Sequence, residues 1–424
     1  MEAPPPPRRT TVRGYHDSPW PGEDGGPLRL QASRRWSGLQ ITDGERLRAT
    51  TRTTRLSTMT VLGEPGDVYL LTHSALRSRI GLPTTACVER ISPISLATIA
   101  RSPRLAGGPM WPGGMAMHRN GDLYVVYGRH AHRLDRTCAR KASLRLPIDQ
   151  PYNSFVVLAN GLIVTKNLSQ VHPAHLTVID PETMRPACAD TPCPEPSVAR
   201  LSAAGDTVYV VGVRSILRYR WTGLALERDT GWQFDYVAGT RQTHGWDAVL
   251  ADGQAWFMDN GAHRYVTSMI GRGVARSANR LIRVSLDDAR DHDAVEVSGL
   301  PGGSVTNPPL YDPGRRIVVG YDSANCRLRA WRFDPATRTL VPLWQRAGLA
   351  CASHMLLDPA SGDLVTNDYC RRGEEVVVLG IETGVERSRV RVGGGMQGVV
   401  FPSVGWGRDL YWCSMRRVAR VYVG

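Results

Sequence analysis

Residues able to do chemistry recur in this chain at the ends of short apolar runs rather than in one motif. His244 and His354 each stand just before such a run, and Asp259 and Asp368 each stand just after one. A histidine titrates near neutrality and can carry a proton, provided a carboxylate fixes its orientation. His244 and His354 are therefore the candidate proton carriers, with Asp247, Asp259 or Asp368 to orient them. Asn153, Asn307 and Gln397 occupy positions like those of the histidines, while His73, Lys166, Asn167, Asn260, Asp322 and Asn367 also follow apolar runs. Trp111, Trp246 and Tyr152 lie close by in sequence. Amides, indoles and a lysine are groups that orient a ligand. Taken singly, each of these residues more often just satisfies nearby backbone groups. They become a site only if the fold makes them converge.

The elements that would position them are short strands. Residues 1–45 are rich in Pro, Gly, Arg and Ser with little apolar periodicity, and read as a flexible or loosely docked leader. From residue 46 to 424, β-branched and aromatic runs alternate with Gly, Asp and Asn turns, an all-β texture. A glycine turn followed by a strand recurs at Gly66, Gly121, Gly161, Gly205, Gly253, Gly314, Gly362 and Gly407, spaced by 55, 40, 44, 48, 61, 48 and 45 residues. That interval is the length of a four-stranded propeller blade, and the turn joins its innermost strand to the second. Eight copies predict an eight-bladed β-propeller, with seven blades as the alternative. The last copy ends at its third strand, so residues 47–55 are expected to supply the outer strand and close the ring. The candidate residues then fall on one face: the starts of inner strands carry Asn153, His244, Asn307, His354 and Gln397, and the ends of second strands carry His73, Lys166, Asp259, Asp322 and Asp368.

The segment around Tyr321-Asp322, Asn325, Arg327 and Asp334-Pro-Ala-Thr resembles a blade of gluconolactonase/regucalcin-like and NHL-type propellers, and Ile179-Asp180-Pro-Glu-Thr is similar to quinoprotein-like repeats. The first resemblance implies a divalent cation near the axis, for which Asn153, Asn307, Asp322 and Asp368 would be the oxygen ligands. The glutamate that family uses on its first inner strand is missing at Leu56-Ser57-Thr58. A four-histidine iron site, as in carotenoid-oxygenase propellers, would need more than His244 and His354 at inner-strand starts. A quinone would bring adjacent cysteines, and none of the eight adjoin, so a quinone is not expected. The cofactor is thus unknown, a divalent metal being one candidate.

Composition bounds the partners. Hydrophobic residues make up 42 %, enough to bury a large core. The net charge of +13 is nearly all arginine, only Lys141 and Lys166 being lysine, and the arginines are spread without a dense run. No nucleic-acid motif accompanies them, so nucleic acid is not an expected partner. No apolar run is long enough to span a membrane and no secretory signal is visible, which predicts a cytoplasmic protein. Cys188 and Cys193 are then expected as free thiols, and no cysteine spacing suits zinc. Two long second-to-third connections, His73 to Ala86 and Asp259 to Asn279, rise from the ligand face, the second bearing Arg264, Arg272 and Arg276 for an anionic ligand or for solvent. The resulting expectation is a propeller that binds a small organic molecule in its axial funnel and converts it by hydrolase, lyase or isomerase chemistry. The alternative is a non-catalytic propeller that binds a protein partner.

Overall fold

The computed structural model describes residues 13–424 apart from 75, 76, 78, 79, 109–112, 265–271, 371, 372 and 394–400; the side chains of Asn153, His263, Arg264, Arg272 and Cys370 also fall outside the description. The chain is an eight-bladed β-propeller. Every blade is an antiparallel sheet laid out from the axis outward in chain order, except that the outermost strand of the last blade comes from the N-terminal side of the chain. The innermost strands are Leu56–Leu62, Gly114–Met117, Tyr152–Val157, Ser202–Ala204, Val249–Ala251, Leu310–Asp312, Leu356–Asp358 and Ser403–Val404. Leu56–Leu62 is buried along its whole length, whereas the outer strand Glu386–Arg391 alternates between half-buried and exposed. This follows from position: inner strands are packed on both faces by neighbouring blades, and outer strands keep one edge in water. Between blades the core is aromatic and aliphatic, as where Trp256 stacks on Tyr311 with ring centroids 4.8 Å apart.

The ring closes as the sequence predicts. Leu47–Thr53 pairs antiparallel with the C-terminal strand Arg417–Val423, from Leu47↔Val423 to Thr53↔Arg417. Seven of these backbone partners join the two ends of the propeller, so no blade is left with three strands and an open edge. The inner turns use left-handed backbone, for example at Gly161 (φ 100°) and Gly253 (φ 72°). The sixth turn departs from expectation: Arg316, not Gly314, holds the positive φ, at 55°. The long connection of the fifth blade forms a small ribbon in which His263–Arg264 pairs with Arg272–Gly273; Arg276 beyond it is exposed. Cys188 and Cys193 are free thiols.

The expectation of a loosely docked leader is corrected for its described part. Residues 14–36 run in an arc against the axial edges of the inner strands, and reach all eight blades. Backbone N–H groups of Leu62, Met117, Ala203, Leu250 and Leu357 donate to the carbonyls of Trp20, Pro21, Pro27, Leu28 and Gln31 at 2.7–2.9 Å. Val157 N–H donates to the Tyr15 hydroxyl (3.0 Å), Gln31 Nε2 to Pro309 O (2.7 Å) and Trp36 Nε1 to Asp409 O (2.9 Å). The edge of each innermost strand that faces the axis carries backbone donors with no neighbouring strand, and the leader supplies acceptors for them. Trp20 (1 % exposed) and Trp36 (5 %) anchor it in the core. The sequence reading missed this because an irregular segment has no hydrophobic period to read. Among the described residues, no helix is long and apolar enough to cross a membrane.

Candidate active site

A buried cluster of charges occupies the propeller axis, built by the leader from one side and by blade residues from the other. His354, Asp247, Arg200 and Phe401 each stand two residues before an inner strand, in blades seven, five, four and eight. The repeat therefore delivers four side chains at one level of the ring. Lys166 and Ser154 come from blade three. From the leader come Glu23, Asp24 and Arg29, with Gln31 beside them. Asp24, Arg29 and Gln31 all have left-handed backbone, with φ of 52°, 55° and 55°. For non-glycine residues this costs on the order of 1–3 kcal/mol each, and such strain collects where side chains are held for function.

The contacts are dense. His354 Nδ1 lies 2.8 Å from Asp24 Oδ1, both residues being at most 1 % exposed. Arg29 Nη1 donates to Asp24 Oδ2 at 2.8 Å and Arg29 Nη2 to Glu23 Oε2 at 3.0 Å. Ser154 Oγ donates to Glu23 Oε2 at 2.9 Å. The Arg200 backbone N–H donates to Asp247 Oδ1 at 2.6 Å, while its guanidinium stands 3.6 Å from both Asp247 Oδ2 and Glu23 Oε2. That guanidinium lies over the Phe401 ring, 4.3 Å from its centroid, and His354 packs against the same ring at 4.0 Å. Among the described residues, none of the three Arg200 guanidinium nitrogens has a hydrogen-bond partner, nor has Asp247 Oδ2 or either His354 ring nitrogen, Nδ1 lying close to Asp24 without hydrogen-bond alignment.

Electrostatics sets the protonation. Burial pushes the His354 imidazole below its ordinary value, against the pull of Asp24, so the ring is neutral at pH 7. Burial opposes ionisation of Asp24 too, but His354 and Arg29 outweigh it and hold the carboxyl below its usual range. Burial raises Glu23, opposed by Arg29 and Arg200. Burial also brings Lys166 down to about 7, and its Nζ donates only weakly, to Ser197 O at 3.3 Å. The ionised Asp24 favours the imidazole proton on Nδ1, which leaves Nε2 with its lone pair. An oriented base beside a guanidinium with free hydrogen-bonding capacity can move a proton and hold a negative charge.

Asp24, Asp247 and His354 place ligand atoms within 4.8 Å of one another, the spacing a metal ion would need. The rest of the donor set does not fit one. Arg29 and His354 already engage the two oxygens of Asp24, and Arg200 faces Asp247, so a dication would sit among guanidinium groups.

Of the residues singled out from sequence, the structure brings His354, Lys166 and Asp247 to this cluster. His244 is buried next to Trp246, and its carbonyl accepts the Gly261 N–H at 2.7 Å. Asp247 faces Arg200 instead of a histidine. Asp259 pairs with Arg280 at 2.7 Å and is raised to about 6 by burial. Asp368 accepts the Ala350 N–H at 3.1 Å and faces Arg389 at 3.4 Å. Asp322 accepts the N–H groups of Ser304 and Asn325 at 3.2 and 3.1 Å, and so holds a loop. Asn307 Nδ2 donates to Ala352 O in the next blade at 2.6 Å. Trp246 Nε1 donates to Gly261 O at 3.4 Å. His73 lines a separate cleft on blade one. Trp111, Gln397 and the Asn153 side chain lie outside the described residues. Of the implied oxygen ligands, Asp322 and Asp368 are engaged with their own loop or neighbour, while Asn307 Oδ1 is buried without a hydrogen-bond partner among the described residues. Sequence reasoning missed Glu23, Asp24, Arg29 and Arg200. The usable signal was Trp20 and Trp36, two large apolar residues flanking charges in a segment read as solvated.

No family model matches the chain and no curated protein matches it. Solved structures do. The chain is similar to the quinohemoprotein alcohol dehydrogenase of Comamonas testosteroni, at TM-score 0.66 and 11 % identity over 95 % of this chain and 80 % of that one. It is similar to a europium-containing methanol dehydrogenase at TM-score 0.61 and 12 % identity, over 93 % and 89 % of the two chains. It is also similar to apo AztD of Citrobacter koseri at TM-score 0.50 and 12 % identity, over 83 % and 96 %. At such identities the likeness is one of fold.

Proposed function

We propose that this propeller binds a small organic anion on its axis and converts it by acid–base chemistry. His354 Nε2 is the proton carrier, Asp24 orients its ring, and Arg200 holds the negative charge of the ligand. One observation carries this reading: a wholly buried guanidinium, 3.6 Å from two carboxylates and with no hydrogen bond among the described residues, stands against the same phenyl ring as a histidine whose Nδ1 lies 2.8 Å from a carboxylate. Among the described residues its carboxylate neighbours, Glu23 and Asp247, stand at 3.6 Å, too far for hydrogen bonds, so the guanidinium keeps hydrogen-bonding capacity that a bound anion would fill. The three left-handed leader residues support the same reading, because strain is spent to insert Asp24 and Arg29 there. A cavity of about 350 Å³ lined by leader residues, among them Pro21, Gly25, Pro27, Arg29 and Leu30, shares Arg29 with the cluster. The proton leaves a hydroxyl or an acidic carbon beside the anionic group, rests on Nε2, and is returned to the product, which accommodates hydrolase, lyase or isomerase chemistry.

The test is a screen of small carboxylates and phosphate esters by ligand-observed NMR, followed by turnover of each hit. His354→Gln should abolish turnover while affinity stays within about threefold, and Arg200→Lys, which keeps the charge but not the fork, should weaken binding about tenfold. Wild-type turnover in the His354→Gln protein, or hits that bind Arg200→Lys unchanged, would overturn the reading.

A further inference from the structure

Away from the axis, a cleft of about 460 Å³ lies where the last and first blades meet. Its walls carry Arg55, Arg77, Arg104 and Arg416. These come from four separate stretches of chain: the link from the closing strand Leu47–Thr53 to the first inner strand, the second-to-third connection of blade one, the link after the outer strand Thr98–Arg101, and the turn before the C-terminal strand Arg417–Val423. All four side chains are exposed. Neighbouring arginines are neutralised: Arg52 and Arg101 pair with Glu89 at 3.0 Å each, and Arg90 pairs with Asp67 at 2.6 Å. Among the described residues, Arg55, Arg77, Arg104 and Arg416 make no ion pair, and no carboxylate lines this cleft. A smaller cavity of about 150 Å³ shares Arg55, His73, Thr85 and Arg104 with it, and there Glu89 is the acid already committed to Arg52 and Arg101.

We propose that this cleft is a second binding site, separate from the axial one, for a small organic molecule bearing two or more negative charges. The volume suits a small molecule, and the guanidinium forks match phosphate and carboxylate oxygens. The four cations converge from distant positions in the chain, so the fold gathers them and no local run of sequence does. The floor adds hydroxyls without net charge: Ser74 Oγ accepts the Thr85 N–H at 2.8 Å and lies 3.3 Å from the Thr85 hydroxyl. Burial holds His73 down at about 4, so it too is neutral at pH 7 and the arginines alone set the charge of the site.

Isothermal titration at low salt with inorganic pyrophosphate and with citrate tests this. At least one should bind with sub-millimolar Kd, and the double variant Arg55→Ala with Arg104→Ala should weaken it by about tenfold or more. The pair Arg55→Lys with Arg104→Lys should recover part of the loss, since charge is kept and the fork is not. A thermal melt coinciding with wild type shows that the alanine variant is folded. Pyrophosphate alone binding points to a phosphate ligand, and citrate alone to a polycarboxylate. Absence of heat with both probes, or equal affinity in the alanine variant, overturns the site. So does single-stranded DNA that displaces the probes with a salt slope steeper than about −4, which would mark a polyanion track.

Discussion

Arginine does opposite work in the two regions described above. On the axis, Arg29 and Arg200 are about 1 % exposed and stand among Glu23, Asp24 and Asp247. In the cleft between the last and first blades, four exposed arginines face one another with no acid among them. The contrast separates what holds the fold from what awaits a ligand. A buried charge must be paired within the protein, because taking it from water costs several kcal/mol. An exposed one is hydrated and can be left over for binding at little cost. Substitutions in the axial cluster are therefore expected to cost stability, and substitutions in the cleft are not.

That contrast can be broken by experiment. The largest effect is expected from Arg29→Leu, which leaves Glu23 and Asp24 buried without their cation; chemical denaturation should show a loss of about 3–5 kcal/mol. A loss as small as that of a surface substitution would mean the axis is wet and the comparison false. Next come the buried histidines. Burial lowers His73 and His132 from 6.5 to about 4 each, so their stability contribution is full above pH 6.5 and is lost as pH falls toward 4. Each is worth at most about 3–4 kcal/mol across that window, and the variant His73→Asn with His132→Asn should show a flatter stability profile there. Lys166 has the reverse consequence. Its folded value of about 7 lies below the ordinary 10.5, so burying it costs stability at and below neutrality, and the cost fades as pH rises toward 10.5. Lys166→Met should therefore be more stable at pH 7 by about 1–3 kcal/mol, with the gain vanishing in alkali. The smallest effect is expected in the cleft: Arg55→Ala with Arg104→Ala should unfold within about 0.5 kcal/mol of wild type.

The fold was legible because propeller geometry repeats a local event. Each glycine turn reports a hairpin, and eight reports at blade spacing define the ring and even its closing strand. Where Arg316 takes the left-handed position in place of Gly314, the spacing still held, since seven other turns carry the period. The site was legible only on its blade side. His354, Asp247 and Lys166 could be placed because strand starts and ends are periodic. Asp24 and Arg29 could not, because their insertion depends on three residues adopting a backbone that their types disfavour.

By itself, then, the sequence determined the all-β class, the blade count, the pairing of the two chain ends and the level of the ring at which His354 would sit. Those follow from short-range turn chemistry and strand periodicity, which each residue carries with it. Only the tertiary structure decided that the leader lines the axial edges of the inner strands, that Asp24 meets His354 across 330 residues of chain, and that four arginines from distant segments share one cleft. These depend on which side chains meet once the ring has closed, and no local pattern encodes a meeting.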